Sequence, residues 1–78
     1  MIDIGGKIKR RRIKLGLTQE ELAARTELSK GFISQLERNL TSPSIATLGD
    51  ILEALGTNLS DFFSEQTEEK VVFGADDV

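Results

Sequence analysis

The sequence predicts an all-α fold of five short helices in a single domain. Apolar residues recur at spacings of three and four along most of the first 64 residues, and this spacing places side chains on one face of an α-helix. Residue types that commonly begin a helix stand just before these stretches, and glycines follow two of them. A chain of 78 residues has room for one hydrophobic core.

The first helix is indicated by both of its ends. Asp3 can cap its start, and Gly16 can end it in the left-handed conformation. Its inner face is expected to carry Ile4, Ile8, Arg12 and Leu15.

The second helix is expected to begin at Thr18. Thr18 and Glu21 have the types and spacing of a capping box, in which each side chain accepts a hydrogen bond from the other residue's amide. Leu17 and Leu22 have the spacing of a hydrophobic staple across the same turn. This helix is expected to end near Thr26.

The third helix follows after a connection of three residues, predicted at 26–28. Ser29 can cap it, and Leu28 against Ile33 repeats the hydrophobic staple. We expect it to end at about Arg38. Two helices joined this tightly meet at a steep angle and leave the polar face of the second helix uncovered.

A fourth and a fifth helix complete the predicted domain. The loop 41–44 contains a proline and can cap the fourth helix, which Gly56 ends. A short fifth helix carries Phe62 and Phe63. The expected apolar stripe of the fourth helix consists of Ile45, Leu48, Ile51, Leu52 and Leu55.

The predicted domain covers residues 1–64, and residues 65–78 form an acidic tail or linker. Residues 70–73 have the character of an incipient strand, too short to be stable alone.

Composition excludes several classes of function. The chain has no cysteine, histidine, tryptophan or tyrosine, so disulfides, thiolate or imidazole metal sites and the usual pairs of nucleophile and base are missing. We therefore expect no enzymatic activity, no metal and no cofactor. No apolar run approaches the roughly 20 residues needed to span a bilayer, and we expect a cytoplasmic protein.

Charge is divided unevenly along the chain. Residues 1–38 carry nine basic and five acidic side chains, a net charge of +4, whereas residues 39–78 carry one basic and eight acidic side chains, a net charge of −7. The overall charge of −3 thus hides a basic half that can face a polyanion.

The polar face of the third helix is the candidate functional surface. Its side chains supply the donors and acceptors that read base edges in a major groove, and a glycine among them permits close approach. An ordinary solvated helix face has the same appearance, but the tight connection to the second helix favours base reading. The candidate residues are Lys30, Gly31, Ser34, Gln35 and Arg38.

Two charged residues fall on faces predicted to be apolar. Arg12 lies on the inner face of the first helix, and Glu37 lies beside Leu36 in the third. Because unpaired buried charges are expensive, we infer that the two side chains pair and fix the first helix against the third. Arg12 is expected to keep one donor for a phosphate.

Four segments closely resemble the XRE family, the phage-repressor and Cro type of helix-turn-helix, over residues 4–63. They are IKRRR at 8–12, GLTQEELA at 16–23, SKGFISQLERN at 29–39 and PSI at 43–45. The resemblance implies a compact, lambda-repressor-like fold with the helix-turn-helix at helices 2 and 3. It also implies transcriptional regulation, more often by repression, by a homodimer bound to a near-palindromic double-stranded DNA operator.

Residue roles follow from the same resemblance. Thr18 and Gln19 would hold phosphates, and the polar face of the third helix would contact bases. Phe32 would meet a thymine methyl or a sugar, or else pack against the loop at Leu40. Arg11 stands where the family usually has leucine, and Gly31 removes a side chain that often reads a base. Further DNA backbone contacts would come from Asn39, Thr41 and Ser42.

Two alternatives concern the second half of the chain. The phenylalanines at the end of the domain, followed by an acidic segment, resemble XRE regulators that continue into a cupin-type sensor domain. The chain would then be a fragment of a regulator that responds to a small-molecule effector, although a short natural protein with a frayed tail would have the same sequence features. The alternative to operator binding is a protein-interaction module, such as an antitoxin or coactivator, that acts mainly through a partner protein and docks through its acidic second half and exposed Phe62, Val72 and Phe73.

Overall fold

The computed structural model describes residues 3–64, and over this part of the chain it contains helices and no strand. The predicted all-α fold is confirmed. The first four helices are α1 (Ile4–Lys14), α2 (Gln19–Thr26), α3 (Lys30–Glu37) and α4 (Ile45–Ala54). A fifth helix, α5, covers residues 59–64.

The helices begin where their capping residues predict. Asp3 accepts from the Gly6 amide before α1, and Ser29 accepts from the Phe32 amide before α3. The capping box of α2 is complete. The Thr18 hydroxyl accepts from the Glu21 amide over 3.0 Å, and the Glu21 carboxylate accepts from the Thr18 amide over 2.8 Å.

The connection between α2 and α3 is shifted by one residue from the prediction. Thr26 is the last residue of α2, so the three connecting residues are 27–29. Glu27 ends the helix in the left-handed region, with φ 58°. As predicted, Gly16 takes a positive φ of 73° after α1.

One hydrophobic core holds the helices together, with α3 lying against both α1 and α2 and α4 lying against α2. Phe62 is 1% exposed, so the expectation that it forms an exposed docking surface is wrong. The remaining side chains that are almost completely buried are Ile8, Leu22, Ile33, Leu36, Ile51, Leu52 and Leu55.

Two residues predicted on inner faces are exposed instead. Leu15 is 50% exposed because α1 ends at Lys14, so Leu15 lies beyond the last helical turn. Ile45 is 70% exposed. It opens α4 one turn before Leu48, where no described element covers the apolar stripe.

Basic side chains of α1 donate hydrogen bonds to backbone carbonyls at the end of α4 and in α5. Arg11 donates from Nε to the Leu55 carbonyl over 3.0 Å and from Nη2 to the Gly56 carbonyl over 3.4 Å. Lys7 donates from Nζ to the Phe62 carbonyl over 2.9 Å, and the same Nζ lies 4.6 Å from the centre of the Phe62 ring. Arg11 thus satisfies carbonyls that the end of α4 leaves unpaired.

The start of α1 approaches the end of α3 very closely. Gly5 is buried, and a Cβ atom on it would lie 2.3 Å from the Leu36 carbonyl oxygen. Its amide donates to Asn39 Oδ1 over 3.1 Å. Only glycine permits this approach without moving backbone.

Candidate nucleic-acid interface

A buried ion pair joins α1 to α3. Arg12 Nε lies 2.6 Å from Glu37 Oε2, and Arg12 Nη2 donates to Glu37 Oε1 over 3.0 Å. Their side chains are 10% and 1% exposed. The pairing inferred from the sequence is therefore present, with the two-pronged geometry that suits a guanidinium and a carboxylate.

The third guanidinium nitrogen of Arg12 also has a partner within the protein. Nη1 donates to the Leu17 carbonyl just before α2 over 2.8 Å. The guanidinium has five N–H donors, and its hydrogen bonds to Glu37 and Leu17 use three of them. The hydrogen bond with Glu37 raises the pKa of Arg12 above its ordinary value and outweighs the opposing effect of burial.

Gln19 extends this ion pair into α2. Its side-chain Nε2 donates to Glu37 Oε1 over 3.1 Å, so one carboxylate oxygen accepts from residues of two different helices. The sequence indicated only a phosphate contact for Gln19. A buried carboxylate can accept more hydrogen bonds than the two that one arginine fork donates, and the need for a further donor is the signal that could have identified the contact.

The polar face of α3 is exposed as predicted. Lys30, Gly31, Gln35 and Arg38 are exposed, and Ser34 is partly buried. The opposite face carries Ile33, Leu36 and Glu37, which are all buried. Packing therefore fixes α3 from one side and leaves the candidate base-reading side uncovered.

The beginning of α2 lies beside the beginning of α3. Lys30 Nζ is 3.7 Å from Glu20 Oε1, and both side chains are largely exposed.

The capping box at the start of α2 uses the amides of Thr18 and Glu21. The first turn of a helix leaves amides without intrahelical partners, and those of Gln19 and Glu20 are not used by this capping box.

The remaining candidates lie near the other end of α3. Asn39 has a positive φ of 59°. Its side-chain Nδ2 donates to Asp3 Oδ1 over 2.7 Å, and its side-chain Oδ1 accepts from the Gly5 amide. The bond from Asn39 lowers the pKa of Asp3. Thr41 is partly buried and Ser42 is exposed in the following loop.

Phe32 packs against the hydrophobic core and is partly buried. One alternative placed Phe32 against the loop at Leu40, and Leu40 is 63% exposed.

Nothing within residues 3–64 groups histidine, cysteine or carboxylate side chains as a metal site would require. The same residues include no helix with the length and apolar character to cross a membrane.

Comparison with known proteins identifies the family. Residues 8–62 match the helix-turn-helix family. The chain is 40% identical over 55 residues to y4dJ, an uncharacterised HTH-type transcriptional regulator of Sinorhizobium fredii, with 70% of this chain and 71% of that protein covered. It is 36% identical over 64 residues to the immunity repressor protein of Bacillus phage phi105, with 82% of this chain and 44% of the repressor covered.

A solved structure agrees with these relatives. The restriction-modification controller protein C.Esp1396I has been solved as a tetramer in complex with its natural 35 base-pair operator, and this chain is similar to one chain of that structure with a TM-score of 0.77 and 33% sequence identity. The match covers 86% of this chain and 88% of that chain.

The chain belongs to the helix-turn-helix family, and its resemblance to XRE-type regulators is confirmed. It is a domain of the kind found in DNA-binding transcriptional regulators. The chain spans less than half the length of the phage repressor that it matches.

Proposed function

We propose that this chain represses transcription by binding a specific double-stranded DNA operator as a homodimer. The observation that carries the proposal is the two-sided character of α3. One face is buried against α1 and α2, and the other presents Lys30, Gln35 and Arg38 to solvent. A helix held in this way can enter a major groove with its polar side chains already directed at the bases.

Phosphate contacts and base contacts have different tasks in this proposal. The amides that open α2, together with the side chains of Thr18 and Gln19, bind the DNA backbone and set the register of the complex. The exposed face of α3 then determines which sequence is preferred. Glu37 links the two sets, because it is buried in α3 and accepts from Gln19 at the start of α2.

The proposal assigns no catalysis and no cofactor to this domain. In a longer regulator, residues 65–78 would lead to a further domain that responds to a small-molecule effector. The phage immunity repressor supports regulation by repression, and it is longer than this chain, which covers 44% of it. Residues 65–78, including Val72 and Phe73, lie outside the described part of the chain.

Selection of bound duplexes from a random pool tests this function. We expect recovery of a near-palindrome whose half-sites lie one helical turn apart, about 34 Å between centres. Affinity for the recovered duplex should fall steeply with rising salt, because phosphate contacts release counterions. A pool that yields no common sequence, bound no better than scrambled DNA, would contradict operator binding.

A further inference from the structure

Basic side chains form a row along one side of α1. They are spaced by three and four residues, so they share one face of the helix. Arg10 and Lys14 are exposed, whereas the other two are half-buried. This basic row consists of Lys7, Arg10, Arg11 and Lys14.

The basic row faces away from the candidate DNA surface. Gly5 and Arg12 lie on the side of α1 that is turned toward α3. Because each residue of an α-helix advances by about 100° around the axis, the basic row lies roughly opposite these two residues. A duplex read by α3 therefore leaves the row uncovered. An uncovered row of cations attracts any other polyanion.

The chain leaves α5 beside this row. Lys7 Nζ donates to the Phe62 carbonyl over 2.9 Å, and Arg11 donates to the Leu55 and Gly56 carbonyls just before α5. The contact at Phe62 lies two residues before the end of the described part of the chain. Residue 65 therefore starts from a point that is bonded to the basic row.

The residues that follow are strongly acidic. Glu65, Glu68 and Glu69 are three of the five residues 65–69. Five residues can extend about 17 Å, whereas Lys7 and Lys14 are about 10 Å apart along the axis of α1. The carboxylates can therefore reach the full length of the row, and their attachment to the same chain gives them a high effective concentration there.

We propose that segment 65–69 binds the basic row of α1 within the same chain and keeps other DNA from this side of the domain. The carboxylates pair with the row, above all with exposed Arg10 and Lys14. Binding to DNA of any sequence is thereby reduced, whereas the operator contacts of α3 on the other side are not. The segment thus raises the ratio of operator binding to other DNA binding, on which specificity depends.

Neutralisation of the segment tests this contact in the full 78-residue chain. The triple variant Glu65→Gln/Glu68→Gln/Glu69→Gln should shift the NMR signals of Arg10 and Lys14, because their counter-ions are lost. A matched control removes the same charge from exposed positions at the end of α2 and in α4, in Glu27→Gln/Asp50→Asn/Glu53→Gln. The control should leave the signals of the basic row where they are in the unmodified chain.

Affinity for a scrambled duplex measures the effect on DNA binding. The segment variant should bind this duplex at least about threefold more tightly than the control variant, because the released row contacts phosphates. In chains that also carry Arg10→Gln/Lys14→Gln, the two variants should bind alike, since the coupling requires both partners.

Three results would overturn the proposal. The first is a segment variant whose row signals shift no more than those of the control, and the second is an equal gain in affinity for the two variants. The third is a gain that persists without Arg10 and Lys14, which would trace it to net charge alone. The effect on DNA rests on the proposed function, but the contact does not. If no chain binds a recovered operator duplex, the proposed function fails, whereas the row signals still decide the contact.

Discussion

The side-chain amide of Gln19 donates to Glu37 over 3.1 Å, so the first residue of α2 is bonded to the last residue of α3. Glu37 is also paired with Arg12 of α1. A single buried carboxylate thereby connects three helices at the level of the candidate DNA surface. Together with the packing of the hydrophobic core, this side chain helps to fix the angle between α2 and α3, on which the proposed simultaneous contact with phosphates and bases depends.

Removal of the Glu37 carboxylate should strongly destabilise the domain. In Glu37→Leu the guanidinium of Arg12 stays buried without its counter-ion, and loss of one partner of a buried pair costs about 3 to 5 kcal/mol. Urea unfolding followed by circular dichroism measures the change. The double variant Arg12→Met/Glu37→Leu should recover much of the loss, because apolar residues of similar size can replace a buried pair.

The exposed pair of Lys30 and Glu20 supplies the control. Glu20→Gln removes a contact of 3.7 Å between largely exposed groups, and such pairs contribute about 0 to 1 kcal/mol. A loss of stability in Glu20→Gln as large as that in Glu37→Leu would show that burial is not the cause.

Base reading and backbone binding should respond differently to substitution. Arg38→Ala should weaken binding to the selected duplex by about 1 to 3 kcal/mol and affect a scrambled duplex far less. Gln19→Ala should weaken both duplexes alike. Fluorescence anisotropy on the two duplexes measures this difference, with urea unfolding as a check because Gln19 also holds Glu37. Equal losses on both duplexes for Arg38→Ala would contradict its role as a base-reading residue.

Gly5→Ala should push α1 away from α3. The added Cβ would lie 2.3 Å from the Leu36 carbonyl oxygen, and overpacking of this kind costs about 1 to 3 kcal/mol. In the control Gly49→Ala nothing lies within 4 Å of the added atom, and alanine should stabilise α4 by about 0.5 to 1 kcal/mol. Thermal unfolding should move in opposite directions for the two variants, and a shift in the same direction would contradict the close approach.

Acid should weaken the domain through the helix caps. The Thr18 amide bonded to Glu21 lowers the pKa of that carboxyl, and the Asn39 side chain does the same to the pKa of Asp3. Both groups bind protons more readily when unfolded, so their stabilisation is present above the unfolded pKa values and is lost as pH falls through the lowered ones. Unfolding free energy should therefore decrease below about pH 5.

Glu21→Gln isolates one of these caps, since glutamine keeps an acceptor for the Thr18 amide but does not titrate. It should be less stable than the unmodified chain near neutral pH, and the difference should vanish at strongly acidic pH. A difference that stays constant over this range would exclude Glu21 as a source of the acid sensitivity.

The features predicted from sequence are those that neighbouring residues determine. The caps at Asp3, Thr18 and Ser29 bond to amides three residues ahead, so their types and spacing suffice. The buried pair was predictable because two charges on apolar faces require partners.

Other contacts depend on the tertiary arrangement. The Gln19 to Glu37 bond spans 18 positions, and the Arg11 to Leu55 bond spans 44. Periodicity gives the direction in which a side chain points but does not tell which element covers it. For this reason the inward positions expected for Leu15 and Ile45 were wrong, and the first turn of α4 is exposed.

The separation of the two faces of α3 has a consequence for evolution. Gln35 and Arg38 are exposed and no core packing depends on them, so their replacement should change folding stability by no more than about 0.5 kcal/mol. If these residues read bases as proposed, a few substitutions at them would give a duplicated copy of the gene new target sites and leave the fold intact. Divergence of the regulated genes requires no redesign of the domain.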